Sequence, residues 1–197
     1  MLSSVEIRAL INTGMMHHVS VPEILQTATL MDYLTREWLK QQECEGGALD
    51  LTVSHFLQQT RDVTPVIGPD ERIEPKVYPL RWDMVDDMPT ITLQPDEYVL
   101  FKTREVFEVP AHVAPTLHQK RTLPGDGAMV IFALIHPGFR GQLTCGLKVI
   151  GPLPITIKYG ARLLTSRYEW IDGDDTTQYN GPHQDGKGNE GIAITPY

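Results

Sequence analysis

A mainly β chain with its helices gathered at the N-terminal end is the fold class that this sequence predicts, and three observations predict it. The 197 residues include 15 Pro and 16 Gly, which punctuate short apolar runs as turns do. Apolar residues recur at helical spacing only within the first 47 positions. From Leu49 onward the texture is one of short β-branched and aromatic segments separated by Pro, Gly and Asp, as in the strands of a sandwich or barrel.

The helical part comes first. Ser3 and Glu6 stand at capping-box spacing, and Val5, Ile7, Leu10 and Ile11 form an apolar stripe that ends at Gly14. A second, longer helix is expected from Pro22 to Cys44, where Ile24, Leu25, Ala28, Met31, Leu34, Trp38 and Leu39 keep helical spacing and Gly46-Gly47 ends it. Such a helix packs on the β body or on a neighbouring subunit. The adjacent His17 and His18 point in different directions on a helix and have no third ligand nearby, so they read as exposed loop residues.

Strands are expected at Tyr98–Phe101, Val106–Val109, Met129–Ile135, Leu143–Ile150 and Ile155–Lys158. Thr64 to Pro89 carries many Pro and Asp residues without periodicity and reads as a long connection, with Asp83, Asp86 and Asp87 as a solvated acidic loop. Asp172 to Tyr197 is polar and Gly-rich, and reads as a flexible terminus that closes over a ligand if the fold binds one. The expected organisation is one domain over 1–197: a helical part at 1–47, a β-barrel at 48–171 and a tail at 172–197.

Composition excludes several classes. A net charge of −8 does not suit a surface that coats nucleic acid, which needs a basic face. Cys44 and Cys145 lie far apart without metal-ligand spacing, so both are expected as reduced thiols and no zinc or other protein-held metal is expected. The longest apolar run, Ala128 to Ile135, is too short to cross a bilayer, and the N-terminus lacks an export pattern, so a cytoplasmic protein without a membrane partner is expected. Neither a Gly-rich phosphate loop before a helix nor a nucleophile elbow occurs.

One stretch carries more information than the rest. Ile135-His136-Pro137-Gly138-Phe139-Arg140-Gly141-Gln142-Leu143-Thr144-Cys145-Gly146 resembles the nucleotide-site hairpin of the dCTP deaminase and dUTPase superfamily. Met1 to Ile11, Gly47 to Leu51, Leu93 to Leu100, Gly151 to Ile155, Tyr159 to Leu163 and Gln178-Tyr179-Asn180-Gly181 are similar to further family segments, in order along nearly the whole chain. The segment 22–44 looks like an insertion. The resemblance implies a jelly-roll β-barrel assembled as a homotrimer, with sites built from more than one subunit. It also implies a dCTP- or dUTP-like ligand, with Mg²⁺ carried on its phosphates.

The same resemblance implies site residues. Lys120, Arg121 and Thr122 match the phosphate-binding turn, Phe139 matches the aromatic ring on which deoxyribose packs, and Tyr179 and Gly181 match the tail that covers the ligand. Three positions depart from the family pattern. Gly146 stands where deaminases carry their catalytic Glu, His136 replaces the hairpin Asp, and the Arg that follows the phosphate motif falls on Leu123 or Gly125. Hydrolytic deamination needs a base that takes a proton from water and returns it to the departing ammonia, and glycine has no group to do so. Gln178, in place of the usual Lys, removes one phosphate contact.

Three functions therefore stand open: a nucleotide-binding homologue without standard deaminase activity; an active deaminase or diphosphatase in which His136, Glu108 or Asp126 substitutes; and a structural trimer that docks a partner through the 22–44 helix. His136 is the candidate catalytic residue, since a neutral imidazole accepts a proton near physiological pH, and its other reading is a hydrogen-bonded turn residue.

Overall fold

The computed structural model describes residues 1–12, 15–18, 34, 47–171, 179–181 and 183–185. It opens with helix α1, Ser4–Asn12. The expected capping box forms: Glu6 Oε2 accepts from the Ser3 amide at 2.8 Å and from the Ser3 hydroxyl at 2.7 Å, while the Glu6 amide donates back to Ser3 Oγ at 3.3 Å. Ile7, on the inner side of this helix, is fully buried. Ser3→Ala removes the cap and is expected to cost about 1 kcal/mol in chemical denaturation.

Thirteen strands follow among the described residues. The first, β1 (Met16–His18), contains the two histidines read from sequence as loop residues. β1 lies alongside the interior strand β8, pairing His17 with Val106 and His18 with Glu105, and so short a strand has no periodicity to display. The expected helix 22–44 lies outside the described residues except for Leu34, which is helical and buried against Met88 and Tyr159.

The body is a nearly closed barrel. Its main sheet runs β10 (Ala128–Ile131), β11 (Arg140–Val149), β8 (Tyr98–Glu108), β2 (Ala48–Gln59), β13 (Arg162–Trp170) and β9 (Val113–Gln119), with β1 on β8 and β5 (Val77–Pro79) on β2. A three-stranded sheet of β12 (Ile155–Lys158), β7 (Met88–Leu93) and β6 (Asp83–Val85) shares the core through Ile91, Leu93 and Ile157. Inward positions alternate along each long strand, as in Val99, Phe101 and Thr103 of β8, all at most 1% exposed.

Two expected strands, Tyr98–Phe101 and Val106–Val109, are one continuous β8. The polar run Lys102-Thr103-Arg104-Glu105 breaks the apolar pattern, but every one of these residues has a role in the sheet interior or beside it. Glu105 is fully buried and accepts from the Thr52 amide at 2.9 Å and the Thr52 hydroxyl at 2.7 Å.

The segment Thr64–Pro89 is not the bare connection expected. It holds the β3 (Val66–Ile67) and β4 (Arg72–Ile73) hairpin, β5, β6 and the start of β7. Asp86 and Asp87, read as a solvated loop, are the two-residue turn between β6 and β7, both left-handed with φ of 49° and 58°. That turn type favours residues tolerant of positive φ, and Asp-Asp is a weak signal for it beside Asn-Gly. No helix among the described residues is long and apolar enough to cross a membrane.

Candidate functional site

A groove of about 580 Å³ opens on the outer face of the main sheet, between the hairpin that follows β10 and the segment 65–77. Its floor is Leu100 and Lys102 of β8 with Gln142 and Thr144 of β11, and the register places Lys102 directly opposite Thr144. His136, Phe139 and Tyr179 form one wall; Ile67, Ile73 and Pro75 face them.

The hairpin turn is fixed by its own backbone. Phe139 donates to the His136 carbonyl at 3.1 Å, Gly138 donates to the Val109 carbonyl at 3.0 Å, and Gly138 holds φ of 78°, a conformation that L side chains rarely adopt. Phe139 is thereby buried at the base of the wall, and His136 is left exposed on the rim. The described part of the tail lies on this hairpin. Tyr179 stacks on His136 with ring planes 2° apart and centroids 5.5 Å apart, and packs on Phe139 at 6.0 Å. Its amide donates to the Pro137 carbonyl at 3.0 Å; Gln184 Nε2 donates to the Gly138 carbonyl at 2.9 Å, and Arg140 Nε pairs with Asp185 at 2.9 Å. Gly181 lies so close under the Tyr179 ring that a Cβ there would collide with it.

Three sequence candidates, His136, Phe139 and Tyr179, therefore meet in one wall, with Gly181 beside them. Lys120, Arg121 and Thr122 do not line this groove within the chain. They form the turn after β9, where Lys120 Nζ is held by both Asp50 oxygens at 2.8 Å and Arg162 reaches the same carboxylate at 3.3 Å. Arg121 and Thr122 are exposed.

Gly146 sits on β11 opposite Leu100. A Cβ there would stand 2.7 Å from the Tyr98 hydroxyl and 2.8 Å from its Cε2. Tyr98 shares its sheet face with Leu100 and Lys102, so its ring covers the place that a side chain at position 146 would take. Burial pushes the Tyr98 hydroxyl above its ordinary pKa, with Cys145 adding to the rise.

Sequence reasoning missed the floor. Lys102 falls between the strands expected at Tyr98–Phe101 and Val106–Val109, and nothing in the sequence singles out Gln142 or Thr144. The signal was period-two alternation through Tyr98, Leu100 and Lys102, which puts a cation on the same face as the hairpin strand. Beside them Ser54 donates to the Thr103 carbonyl at 3.0 Å or the Lys102 carbonyl at 3.1 Å, and Gln142 Nε2 donates to the Thr103 carbonyl at 2.6 Å. With the Ser54 proton so used, the neutral His55 ring carries its proton on Nδ1, 2.9 Å from Ser54 Oγ.

Burial holds His55 below the ordinary imidazole range, and the Lys102 charge lowers it further. Above that range both folded and unfolded chains are neutral at this residue. As pH falls through it, the unfolded chain takes up the proton first, so folding stability should drop. A His55→Gln variant should show a flatter stability profile between pH 7 and about pH 5 in denaturant titrations.

The family model described as dCTP deaminase-like matches residues 1–169. The chain belongs to the dCTP deaminase-like family. A dCTP deaminase from Halorubrum lacusprofundi is 30% identical over 126 residues, 62% of this chain and 61% of that protein. A dUMP-forming dCTP deaminase from Corynebacterium glutamicum is 37% identical over 81 residues, 40% of this chain and 43% of that protein. The fold of this dCTP deaminase-like chain matches the 2′-deoxycytidine 5′-triphosphate deaminase of Agrobacterium tumefaciens with a TM-score of 0.58 at 16% identity, covering 87% of this chain and 47% of that one. Alignments thus span about three-fifths or less of these relatives.

Proposed function

We propose that this family member binds a deoxynucleoside triphosphate, or a close relative, in the groove beside the hairpin and does not deaminate it. The observation that carries this reading is Gly146 with the Tyr98 ring standing 2.7 Å from where its Cβ would be. Neither a carboxylate nor space for one is present at the position from which the family's base acts.

Binding features support the other half. In this reading the deoxyribose packs on Phe139, Tyr179 closes over the ligand, and Lys102 offers a cation from the floor. The phosphates are taken by Arg121, Thr122 and Lys120, the last of which must be drawn from Asp50. Because this turn and the groove do not meet within one chain, the reading requires the turn of a second copy, in keeping with a homotrimer. The edge strand β10 presents Met129 and Ile131, 41% and 49% exposed, as an apolar face for such a neighbour to cover. In this reading Mg²⁺ enters with the phosphates of the ligand. The names of the relatives make dCTP the first ligand to try.

The test is a titration with deoxynucleoside triphosphates and Mg²⁺, read by thermal denaturation and by ammonia release. A saturable rise in melting temperature is expected, equivalent to about 2.7 kcal/mol at one hundred times Kd, with no ammonia from dCTP. Enzyme-like ammonia release defeats the reading. A full nucleotide panel without any shift also defeats it and favours the partner-docking alternative.

A second reading rests on His136, which lines the groove as Glu108 and Asp126 do not. It requires Mg²⁺-dependent release of phosphate, pyrophosphate or ammonia that disappears in His136→Ala.

A further inference from the structure

Away from the groove, a second small core lies on the outside of the barrel. Tyr159 follows β12, is fully buried, and meets Trp82 edge-on at a centroid distance of 5.5 Å, with Leu34 and Met88 packed around it. Arg104, from β8, is 5% exposed, and its Cζ lies 5.9 Å from the centre of the Tyr159 ring.

These two side chains share an unusual condition. Nε and Nη1 of Arg104 and the hydroxyl of Tyr159 are all buried without a hydrogen-bond partner. A guanidinium stays protonated wherever the protein folds, so Arg104 is a buried positive charge. The Tyr159 ring face answers part of that charge but accepts no N–H in the plane of the guanidinium. The next residue along the strand, Glu105, gives its two oxygens to the amide and hydroxyl of Thr52. The Tyr159 hydroxyl oxygen lies where it can take one N–H of Arg104, but it carries no charge, so the buried cation and its remaining donors stay unanswered by the chain's own described groups, which is costly.

We infer that Arg104 and Tyr159 form a binding site for one small free oxyanion, of the phosphate, sulfate or carboxylate class, separate from the nucleotide groove. The anion's oxygens accept from Arg104 and from the Tyr159 hydroxyl, and its charge neutralises the guanidinium. Leu34, Met88 and Trp82 make the surroundings apolar, which strengthens a charge-assisted hydrogen bond and limits the site to an ion that sheds its water. This inference does not rest on the proposed nucleotide binding, since none of its residues lines that groove.

The experiment titrates the full chain with inorganic phosphate, sulfate and acetate at constant ionic strength, using chloride as the reference, and follows thermal denaturation. Wild type should show a saturable stabilisation by at least one of the three beyond chloride. Arg104→Met should lose it, Tyr159→Phe should bind about tenfold more weakly through the loss of one hydrogen bond to a charged partner, and Arg121→Ala should keep it. If Arg104→Met does not fold, the wild-type titration and Tyr159→Phe decide. The inference is overturned by a wild type that responds no more than to chloride, by an unchanged response in Arg104→Met or Tyr159→Phe, or by its loss in Arg121→Ala, which would move the anion to the turn after β9.

Discussion

Gly146→Glu is expected to destabilise the protein by about 1–3 kcal/mol and to release no ammonia from dCTP, although it writes the family's catalytic residue back into the sequence. The cause is the Tyr98 ring, whose Oη, Cε2 and Cζ stand 2.7, 2.8 and 3.1 Å from the position of the new Cβ. Either the ring swings away, losing its packing, or β11 shifts against β8. The longer side chain would add a carboxylate to a buried position with no partner prepared for it. Coupling tests the argument. Tyr98→Ala removes the obstruction, so the double variant should be less destabilised than the two single variants added together, as read in urea unfolding. Additive effects would show that the ring is not what excludes a side chain there.

Glu105→Ala should be the more damaging substitution, at about 3–5 kcal/mol, even though the residue does not line the groove. Glu105 is fully buried, and its carboxylate joins β8 to the Thr52 amide and hydroxyl on β2. Its removal leaves two donors unanswered inside the barrel and a void where the carboxylate stood. Thr52→Val, which removes only the hydroxyl, should cost about 1 kcal/mol by the same denaturation measurement. Equal losses in the two variants would contradict the view that the backbone amide is the more costly partner to abandon.

The contrast between these positions explains what the sequence made legible. Strands whose inner face is apolar could be read: β12 appears where Ile155–Lys158 suggested it, and the 143–150 run lies almost wholly within β11. The middle of β8 could not, because Thr103 and Glu105 are polar residues at inward positions: the Thr103 hydroxyl donates to the Glu105 carbonyl and the Glu105 carboxylate accepts from Thr52, bonds invisible in one dimension. Short paired segments such as β1 and the β3–β4 hairpin depend on partners far along the chain, so local composition says little about them.

The same division holds for the candidate site. His136 and Phe139 were found because they lie in one contiguous turn, and Tyr179 joins them by packing on that turn. Lys102 was missed because its relation to Thr144 is one of register between strands some forty residues apart. The departure at position 146 was plain from sequence, but that Tyr98 fills the space followed only from the pairing of β8 with β11.

Cys145 gives the barrel a built-in clock. It is a free thiol 3% exposed on β11, and burial pushes it up to about 12, so in the folded state it is neither a nucleophile nor within reach of a reagent. With Cys44 replaced by serine, an alkylating agent in excess must wait for β11 to part from β8, and the rate at which label appears becomes the rate at which the floor of the groove comes open.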